Sequence, residues 1–350
     1  MLQSRWSFWQ GFPPPQFVYA NMEFRGVVLE PPNTEPGSWI GGGKAILDLQ
    51  ERVFYLTARP RKMEGDVRGY AVEIHRSGDG ITFELLHRIP IEEVISLSGV
   101  HTTSIEGNQL LQDPLTGKWH LYLSVDTGTE FIWGGVFWET LLLTADRLEG
   151  PWESRGLIIR HDRPYDACQS RDWSIDIVDG EWIGFGKAYD YDGNQRTQMI
   201  TSSDGVQWTK HGPVSVDGEE QWMLYASGTT FAGAAGPVFL GVARSAPRLP
   251  QPVPDVMDDD WKRDNDLWHY DFVGFRVDRR RVNLETIFRA PWVARSPFEL
   301  EAHPLHNYCS VVHDPFENRL LLYVEAIGPD SRRPSLNDSV ERVLVYECRL

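Results

Sequence analysis

The chain has 350 residues, and its formal net charge at pH 7 is −16. Nucleic acids and anionic membrane surfaces attract basic patches, so this charge disfavours both as partners. No apolar run approaches the ~18 residues that a membrane-spanning helix needs. The three cysteines are widely spaced, which indicates free thiols, and the N-terminus lacks the pattern of a signal peptide, so we expect a cytoplasmic protein.

The same local pattern occurs five times along the chain: a short apolar run, a polar turn, and an aromatic-rich run that returns. The copies recur at roughly 60–70 residues, a period that in a β-rich chain is typical of a propeller or an array. The outward and returning runs are residues 44–47 and 53–58, 108–111 and 119–124, 174–178 and 181–186, 228–232 and 237–243, and 308–313 and 319–325. With 31 glycines and 23 prolines for turns, they predict an all-β fold, a single five-bladed β-propeller domain over residues 1–350.

The predicted elements follow one another in a simple order. The N-terminal segment, residues 1–36, carries one predicted strand, which we expect to close the last blade beside residues 340–350. Residues 247–266 break the strand pattern of the fourth blade and predict an insertion, either a solvated loop or a lid over a pocket. The predicted blades cover residues 37–95, 97–158, 165–214, 220–290 and 291–350.

The first hairpin of each blade aligns residues of different blades. Glu106 precedes the turn residue Asp113 by seven positions, and Asp172 precedes Asp179 by the same interval. The same interval leads in the other blades to Gly43, Ser227 and His306. The innermost strands of a propeller begin around a central channel, so we expect these five positions to form a ring there.

Short motifs at these positions resemble the five-bladed propeller glycosidases, the group that includes glycoside hydrolase families 43, 32 and 130. Residues 170–175, Ser-Arg-Asp-Trp-Ser-Ile, resemble the Arg-Asp-Pro segment that opens a blade in those families. Residues 104–107, Ser-Ile-Glu-Gly, resemble the Ile-Glu-Gly that carries the general acid in family 43, and residues 76–83 are similar to outer hairpins of family 130. These families place an acid at the start of the first blade, where residues 39–44 read Trp-Ile-Gly-Gly-Gly-Lys. The resemblance therefore extends to the group of families and not to one of them.

The resemblance implies a glycoside hydrolase that acts on a short oligosaccharide or glycoside, with pyranoside or furanoside left open. Such cleavage needs a carboxylic acid that protonates the leaving oxygen and a carboxylate that activates water or attacks. We expect Glu106 to be the general acid, with its pKa raised by Asp172 and an apolar rim. Asp172 is then the base or a group that binds sugar hydroxyls, and Arg171 either holds it ionised or forms a structural salt bridge with it.

Residues that flank the predicted ring are candidates for substrate binding. Aromatic faces pack against the C–H-rich faces of sugars, which makes Trp39, Trp173 and Trp222 candidate stacking platforms. The full set of predicted substrate-binding residues is Trp39, His101, Arg171, Trp173, Tyr225 and His306. The sequence lacks CxxC and HExxH metal motifs, so we expect no protein metal site and no required cofactor, with a calcium ion in the channel left open.

Two functions other than hydrolysis remain open: carbohydrate binding without turnover, and phosphorolysis of a glycoside. The missing acid of the first blade favours a propeller that binds carbohydrate without turnover. A glycoside phosphorylase would need a basic cradle for phosphate, for which Arg25, Arg59 and Arg61 are the candidates.

Overall fold

A computed structural model describes residues 13–62, 68–128, 137–192, 194–220, 225–245, 269–301, 304–331 and 339–350. The predicted all-β class is confirmed, because the helices in these ranges are only two short α-helices and a 3₁₀ turn at Pro164–Asp166. No helix in these ranges has the length and apolar character needed to cross a membrane. The insertion predicted at residues 247–266 and the candidate platform Trp222 lie outside the described residues.

Twenty of the 22 strands in the described ranges group into five antiparallel meanders of four strands each. The chain begins with α1 (Pro15–Asn21) and β1 (Glu23–Leu29). The first meander contains β2 (Trp39–Asp48), β3 (Val53–Arg61), β4 (Ala71–Ser77) and β5 (Glu84–Pro90), and α2 (Ile91–Ser98) follows it. The second contains β6 (Ser104–Gln112), β7 (Trp119–Asp126), β8 (Trp138–Ala145) and β9 (Glu153–Ile159).

The remaining meanders follow the same plan. The third contains β10 (Gln169–Val178), β11 (Glu181–Tyr189), β12 (Gln195–Ser202) and β13 (Thr209–Pro213), and the two-residue strands β14 (Ser215–Val216) and β15 (Glu219–Glu220) come next. The fourth contains β16 (Tyr225–Phe231), β17 (Val238–Ser245), β18 (His269–Asp278) and β19 (Asn283–Pro291). The fifth contains β20 (Leu305–Asp314), β21 (Arg319–Ile327) and β22 (Glu341–Arg349), and β1 is its fourth strand.

The N-terminal strand β1 joins the two ends of the chain. It pairs antiparallel with β22, so that Glu23 lies opposite Glu347 and Leu29 lies opposite Val343. The pairing covers an edge of β22 whose backbone N–H and C=O groups would otherwise lack partners. Leu29 is also buried in the apolar cluster between the fifth and first meanders.

The first strands of the meanders contact one another in a cycle: β2 with β6, β6 with β10, β10 with β16, β16 with β20, and β20 with β2. They form no regular ladder with each other, so side chains satisfy the buried backbone N–H groups. Ser174 Oγ accepts from Gly228 N at 3.1 Å, and Ser227 Oγ accepts from Cys309 N at 3.0 Å. A methyl group at Gly43 would lie 2.6 Å from the backbone oxygen of Asn108, which explains the glycine there.

Apolar side chains fill the space between neighbouring meanders, one cluster for each pair. Ile74 and Leu121 belong to the cluster between the first and second meanders. Leu321 and Leu56 belong to the cluster between the fifth and the first. The apolar core therefore surrounds the polar first strands.

Candidate active site

Four of the five aligned positions lie in irregularities of the first strands. In four first strands, the antiparallel pairing with the second strand is interrupted by a short unpaired stretch. The first residues of these stretches are Gly43, Glu106, Asp172 and His306. Ser227, by contrast, pairs regularly with the strand beside it. Such bulges re-aim side chains out of the ladder. Asp172 has a φ of 54°, a strained value for a residue other than glycine that typically marks a functional or tightly constrained position.

Glu106 is held between two guanidinium groups. Its Oε2 lies 2.7 Å from Arg59 Nη2, and its Oε1 lies 2.6 Å from Arg68 Nη2. Burial alone would raise the pKa of Glu106, but the charges of Arg59, Arg68 and Arg61 outweigh it and lower the pKa to about 2. The pKa of Glu106 is therefore lowered and not raised as the sequence predicted, which favours the ionised form, and its role as general acid stays a prediction.

Asp172 is completely enclosed by its partners. Its Oδ2 accepts a hydrogen bond from Lys187 Nζ at 2.8 Å and lies 3.3 Å from Arg171 Nη1, and its Oδ1 accepts from Gly107 N at 3.1 Å. Burial opposes its ionisation, but the charges of Arg171 and Lys187 outweigh burial and hold the pKa of Asp172 below its usual range. Because Gly107 follows Glu106 in the chain, Asp172 fixes the bulge that carries Glu106.

A second carboxyl pair, Glu325 and Glu341, lies on β21 and β22. Glu341 Oε1 accepts from Ser339 Oγ at 2.5 Å, and Glu341 Oε2 lies 2.7 Å from His306 Nδ1. Glu325 lies within hydrogen-bonding reach of Glu341, and no other described group forms a hydrogen bond with its carboxyl oxygens. Burial raises the pKa of Glu341 to about 8 and that of Glu325 well above its usual range, and the like charge of the neighbouring carboxyl also raises the pKa of Glu325. Burial lowers the pKa of His306 to about 3, so its imidazole is neutral.

Arg59 lies between the carboxyl group of Glu106 and that of Glu325, beside Gly41. Arg59 Nη2, which binds Glu106, lies 2.8 Å from the position of a methyl group added to Gly41, and Glu325 Oε1 lies 3.0 Å from the same position. Ionised Glu106 and the protonated pair therefore belong to one site.

Donor atoms of His306, Glu325 and Glu341 all lie within 4.8 Å of one another, close enough for one cation to bridge them. Calcium takes six to eight oxygen ligands, and this group offers two carboxyl groups and a neutral imidazole. The positive charges of Arg59 and Arg61 also act on Glu341. The donor set does not fit calcium, and a calcium ion elsewhere in the channel stays a prediction.

Basic side chains surround both carboxyl groups on the first strands. These basic residues are Arg59, Arg61, Arg68, Arg171, Lys187 and Arg244. Together with Glu106, Asp172, Glu325, Glu341 and His306, they form what we call the charged cluster. All but Arg171 are buried, and 15% of the Arg171 side chain is exposed. Burial is also the main cause that lowers the pKa of Lys187 to about 8.

Of the three predicted sugar platforms, Trp39 and Trp173 lie within the described residues, and protein groups contact both of their indole rings. Trp39 is buried, its Nε1 donates to Ser339 O at 2.9 Å, and the Arg61 guanidinium covers its ring at 3.5 Å. Trp173 donates from Nε1 to Thr140 Oγ1 at 2.8 Å and lies in the apolar cluster between the second and third meanders. Both indoles are therefore occupied by protein contacts, because the first covers an ion-rich site and the second fills the core.

The other predicted substrate-binding residues have different surroundings. Tyr225 is buried and donates from its hydroxyl to the backbone oxygen of Asp172 at 3.3 Å. Arg171 contacts Asp172, and the ring of His306 lies 4.8 Å from that of Trp39. His101 is exposed in the loop between α2 and β6. The structure thus brings Arg171, Tyr225 and His306 to the charged cluster, whereas their role in substrate binding stays a prediction.

Apart from Arg59 and Arg61, which it named as candidates for binding phosphate, the sequence reasoning missed the cluster residues that come from second and third strands. The seventh residue of β3 is Arg59, that of β11 is Lys187, that of β17 is Arg244 and that of β21 is Glu325. A second strand ends beside the start of its first strand, so these positions meet the aligned ring. A charge near the end of each otherwise apolar second strand was the available signal.

No protein-family model and no curated protein matches the sequence. Several solved structures match over nearly the whole chain. Zg3597, a family 117 glycoside hydrolase from Zobellia galactanivorans, has 14% identity and a TM-score of 0.57, with 94% of this chain and 90% of that chain covered. A structure of family 130, described as mannoside phosphorylases that include hydrolases of β-1,2 mannosidic linkages in Candida mannan, has 13% identity, a TM-score of 0.51, and coverage of 93% and 85%.

The chain has the fold of these glycoside hydrolases. An N-acetylgalactosamine deacetylase from F. plautii, in complex with blood group B trisaccharide, also matches, with 12% identity, a TM-score of 0.59, and coverage of 93% and 95%. The predicted resemblance to propeller glycosidases is confirmed for the fold. Because one fold carries several activities, the function has to be argued from the site.

Proposed function

We propose that the five meanders are the blades of one five-bladed β-propeller and that the chain is a glycoside hydrolase. The cyclic contacts of the first strands and the apolar cluster between each pair of meanders support the propeller. The charged cluster lies where the first strands begin, at the mouth of the central channel. A short oligosaccharide or glycoside is the proposed substrate.

One observation carries this proposal: carboxyl groups with opposite surroundings share one site, since guanidinium groups contact Glu106, whereas Glu341 lies against Ser339 and His306. Environments that push the pKa values of neighbouring carboxyl groups apart separate an acid from an ionised partner. Burial raises the pKa of Glu341 and favours a bound proton at neutral pH, whereas the guanidinium groups lower the pKa of Glu106 and favour its ionised form. Glycoside cleavage requires this combination.

The roles follow from the contacts of each side chain. Glu341 is the general acid, because burial raises its pKa and favours its protonated form. Glu106 faces the developing positive charge of the sugar or attacks it, since a carboxylate with so low a pKa accepts a proton poorly. Asp172 is a positioning residue, because its Oδ1 accepts from Gly107 N and so holds the bulge that carries Glu106.

The test is turnover of aryl glycosides and short oligosaccharides by the purified protein, with and without inorganic phosphate. We expect phosphate-independent hydrolysis of at least one glycoside and its loss in Glu341→Gln. Glu84→Gln, which alters an exposed ion pair on β5, is the matched control and should retain full activity. Binding of sugars without turnover of any member of the panel would contradict the proposal and favour a carbohydrate-binding propeller.

The basic side chains favour one second candidate, a glycoside phosphorylase. Arg59 and Arg61 are buried in the charged cluster, where guanidinium groups suit an oxyanion. Arg25 instead pairs with Glu347 on the outer strands, outside the cluster. Phosphate-dependent turnover would select this candidate.

A further inference from the structure

A buried tyrosine, Tyr308 on β20, lies beside the charged cluster and has no part in the mechanism described so far. It is 6% exposed, and its hydroxyl lies within hydrogen-bonding reach of the carboxyl group of Asp172. The charges of Glu106 and Arg59 also act on its phenol. Asp172 lies on the first strand of the third meander and Tyr308 on that of the fifth, so the contact joins two first strands.

The hydrogen bond between Tyr308 and Asp172 has one direction. Asp172 Oδ2 lies 2.8 Å from Lys187 Nζ and 3.3 Å from Arg171 Nη1, and these charges favour the ionised carboxylate. An ionised carboxylate only accepts hydrogen bonds, so the phenol donates to it. Burial and the charge of Asp172 raise the pKa of Tyr308 well above its usual value, so the phenol keeps its proton. The oxygen of Tyr308 is therefore left with lone pairs that can accept a hydrogen bond.

Tyr308 has more surface to offer a ligand than the groups around it. Asp172 is 0% exposed, so a contact between its carboxylate and a sugar hydroxyl, one of the roles predicted from the sequence, needs an intermediary. Tyr225, the other phenol at this residue, is 1% exposed, and its hydroxyl donates to the backbone oxygen of Asp172. Of the three residues, Tyr308 retains the largest exposed fraction.

We propose that Tyr308 binds a hydroxyl group of the substrate sugar and that this hydroxyl donates to the phenol oxygen. The proposal rests on the proposed function of the same site, and it adds a residue that determines specificity. A phenol that donates to a carboxylate becomes a better acceptor, because hydrogen bonds in a chain polarise one another. Tyr308 therefore distinguishes a sugar with a hydroxyl at this position from a sugar without one, and it transmits the charge of Asp172 to that hydroxyl.

The experiment measures the binding of parent sugars and their deoxy derivatives by titration calorimetry. The parents are glucose, galactose, mannose and arabinose, and each is compared with derivatives that lack one hydroxyl group. We expect one deoxy position of a bound parent to weaken binding about three- to tenfold, as the loss of one hydrogen bond between neutral groups does. That position identifies the hydroxyl that Tyr308 binds.

Deoxyfluoro sugars test the direction of the hydrogen bond. Fluorine accepts a hydrogen bond weakly and cannot donate one, so it cannot replace a sugar hydroxyl that donates to Tyr308. At the identified position, the fluoro derivative should therefore bind as weakly as the deoxy derivative. A fluoro derivative that binds as tightly as the parent would show that the phenol donates to the sugar, which contradicts the proposal.

Tyr308→Phe removes the hydroxyl and keeps the ring. The variant should bind the parent as weakly as the deoxy derivative, and it should bind the deoxy derivative as the wild type does, a pairwise coupling that a purely structural role would not produce. Tyr323→Phe is the matched control, because the hydroxyl of buried Tyr323 donates to Gly80 O at 2.7 Å between the fifth and first meanders, and it should keep the preference. Should Tyr308→Phe fail to fold, the deoxyfluoro series with the wild type still tests the proposed direction.

Three further results would overturn the inference: deoxy derivatives that all bind like their parents, a preference that Tyr308→Phe leaves unchanged, or no binding of any parent. Activity separates this inference from the proposed function. Hydrolysis of a glycoside together with an unchanged preference in Tyr308→Phe would reject the role of Tyr308 and keep the hydrolase. A preference that Tyr308→Phe abolishes, without hydrolysis of any glycoside by the wild type, would keep the role of Tyr308 and reject the hydrolase.

Discussion

At the residue scale, neighbouring groups determine whether a buried glutamate is charged. Glu106 and Glu341 are the same residue type with similar burial, 5% and 1% exposed. Guanidinium groups contact both oxygens of Glu106, whereas Glu341 lies against another carboxyl group and a neutral imidazole. Desolvation therefore dominates for Glu341 and ion pairing dominates for Glu106.

The ion pairs of Glu106 predict a stability effect. Glu106→Gln leaves Arg59 and Arg68 buried without their counter-charge, so the free energy of unfolding should fall by about 3–5 kcal/mol. Urea unfolding followed by tryptophan fluorescence measures it. Glu84→Gln breaks an exposed pair with Arg76 and should cost less than about 1 kcal/mol. Equal costs for the two variants would contradict the buried ion pairs.

The raised pKa of Glu341 predicts how stability depends on pH. The folded state keeps a proton that the unfolded state releases above its ordinary pKa of 4.5, up to the folded-state value of about 8. The stabilising contribution is present in full below pH 4.5 and is lost as the pH rises, with a slope of at most about 1.4 kcal/mol per pH unit. Glu341→Gln, which stays neutral, should therefore gain on the wild type between pH 5 and 8 in urea unfolding. A constant difference over this range would show that Glu341 is ionised throughout.

At the element scale, bulges in the first strands build the site. Glu106, Asp172 and His306 all begin a break in the register, which turns their side chains away from the ladder. The Glu106 bulge depends on Gly107, because Asp172 packs directly against it. The geometry of the site is therefore a property of strand irregularity.

Gly107→Ala tests this packing. The added methyl group would lie 2.7 Å from Asp172 Oδ1 and 2.8 Å from Asp172 Cα, so the free energy of unfolding should fall by about 1–3 kcal/mol. Gly78→Ala is the matched control, because its methyl group meets nothing within 4 Å. Thermal unfolding of both variants is the measurement. A Gly107→Ala protein as stable as the control would show that the bulge accommodates the added methyl group.

The sequence located the first-strand residues because the interval to the following turn is constant. Glu106 and Asp172 were aligned on that interval, and the structure places both in corresponding bulges. Their charge states were not accessible in this way, since Arg59, Arg68 and Lys187 come from other strands or loops. The interval to the turn also did not predict the direction of the neighbouring side chain. Trp173 was predicted to face a sugar, but it lies in the apolar core.

At the scale of the whole molecule, the first and last described strands pair, and five apolar clusters surround the first strands of the meanders. β1 pairs with β22, and its apolar side chains enter the cluster shared by the fifth and first meanders. The sequence repeat predicted the arrangement of five similar units, because each copy contains the same hairpin. The cyclic contacts hold the charged cluster where the strands converge.

Leu29→Ala tests whether β1 is integral to the fold. Leu29 is 8% exposed, so its truncation should lower the free energy of unfolding by about 2–5 kcal/mol. Leu115→Ala, at a turn position that is 73% exposed, should cost less than about 0.5 kcal/mol. Denaturant unfolding of both variants gives the comparison. Equal free energies of unfolding for the two variants would show that β1 contributes little to the stability of the fold.

The most direct measurement of the central claim is the dependence of Glu341→Gln activity on the leaving group. A general acid assists a poor leaving group and matters little for one that departs without a proton. With the sugar that the panel selects, we expect kcat/KM to fall about 100-fold or more for the phenyl glycoside and only slightly for the dinitrophenyl glycoside. An equal fall for both substrates, or none for either, would contradict the assignment of Glu341 as the acid that acts with ionised Glu106.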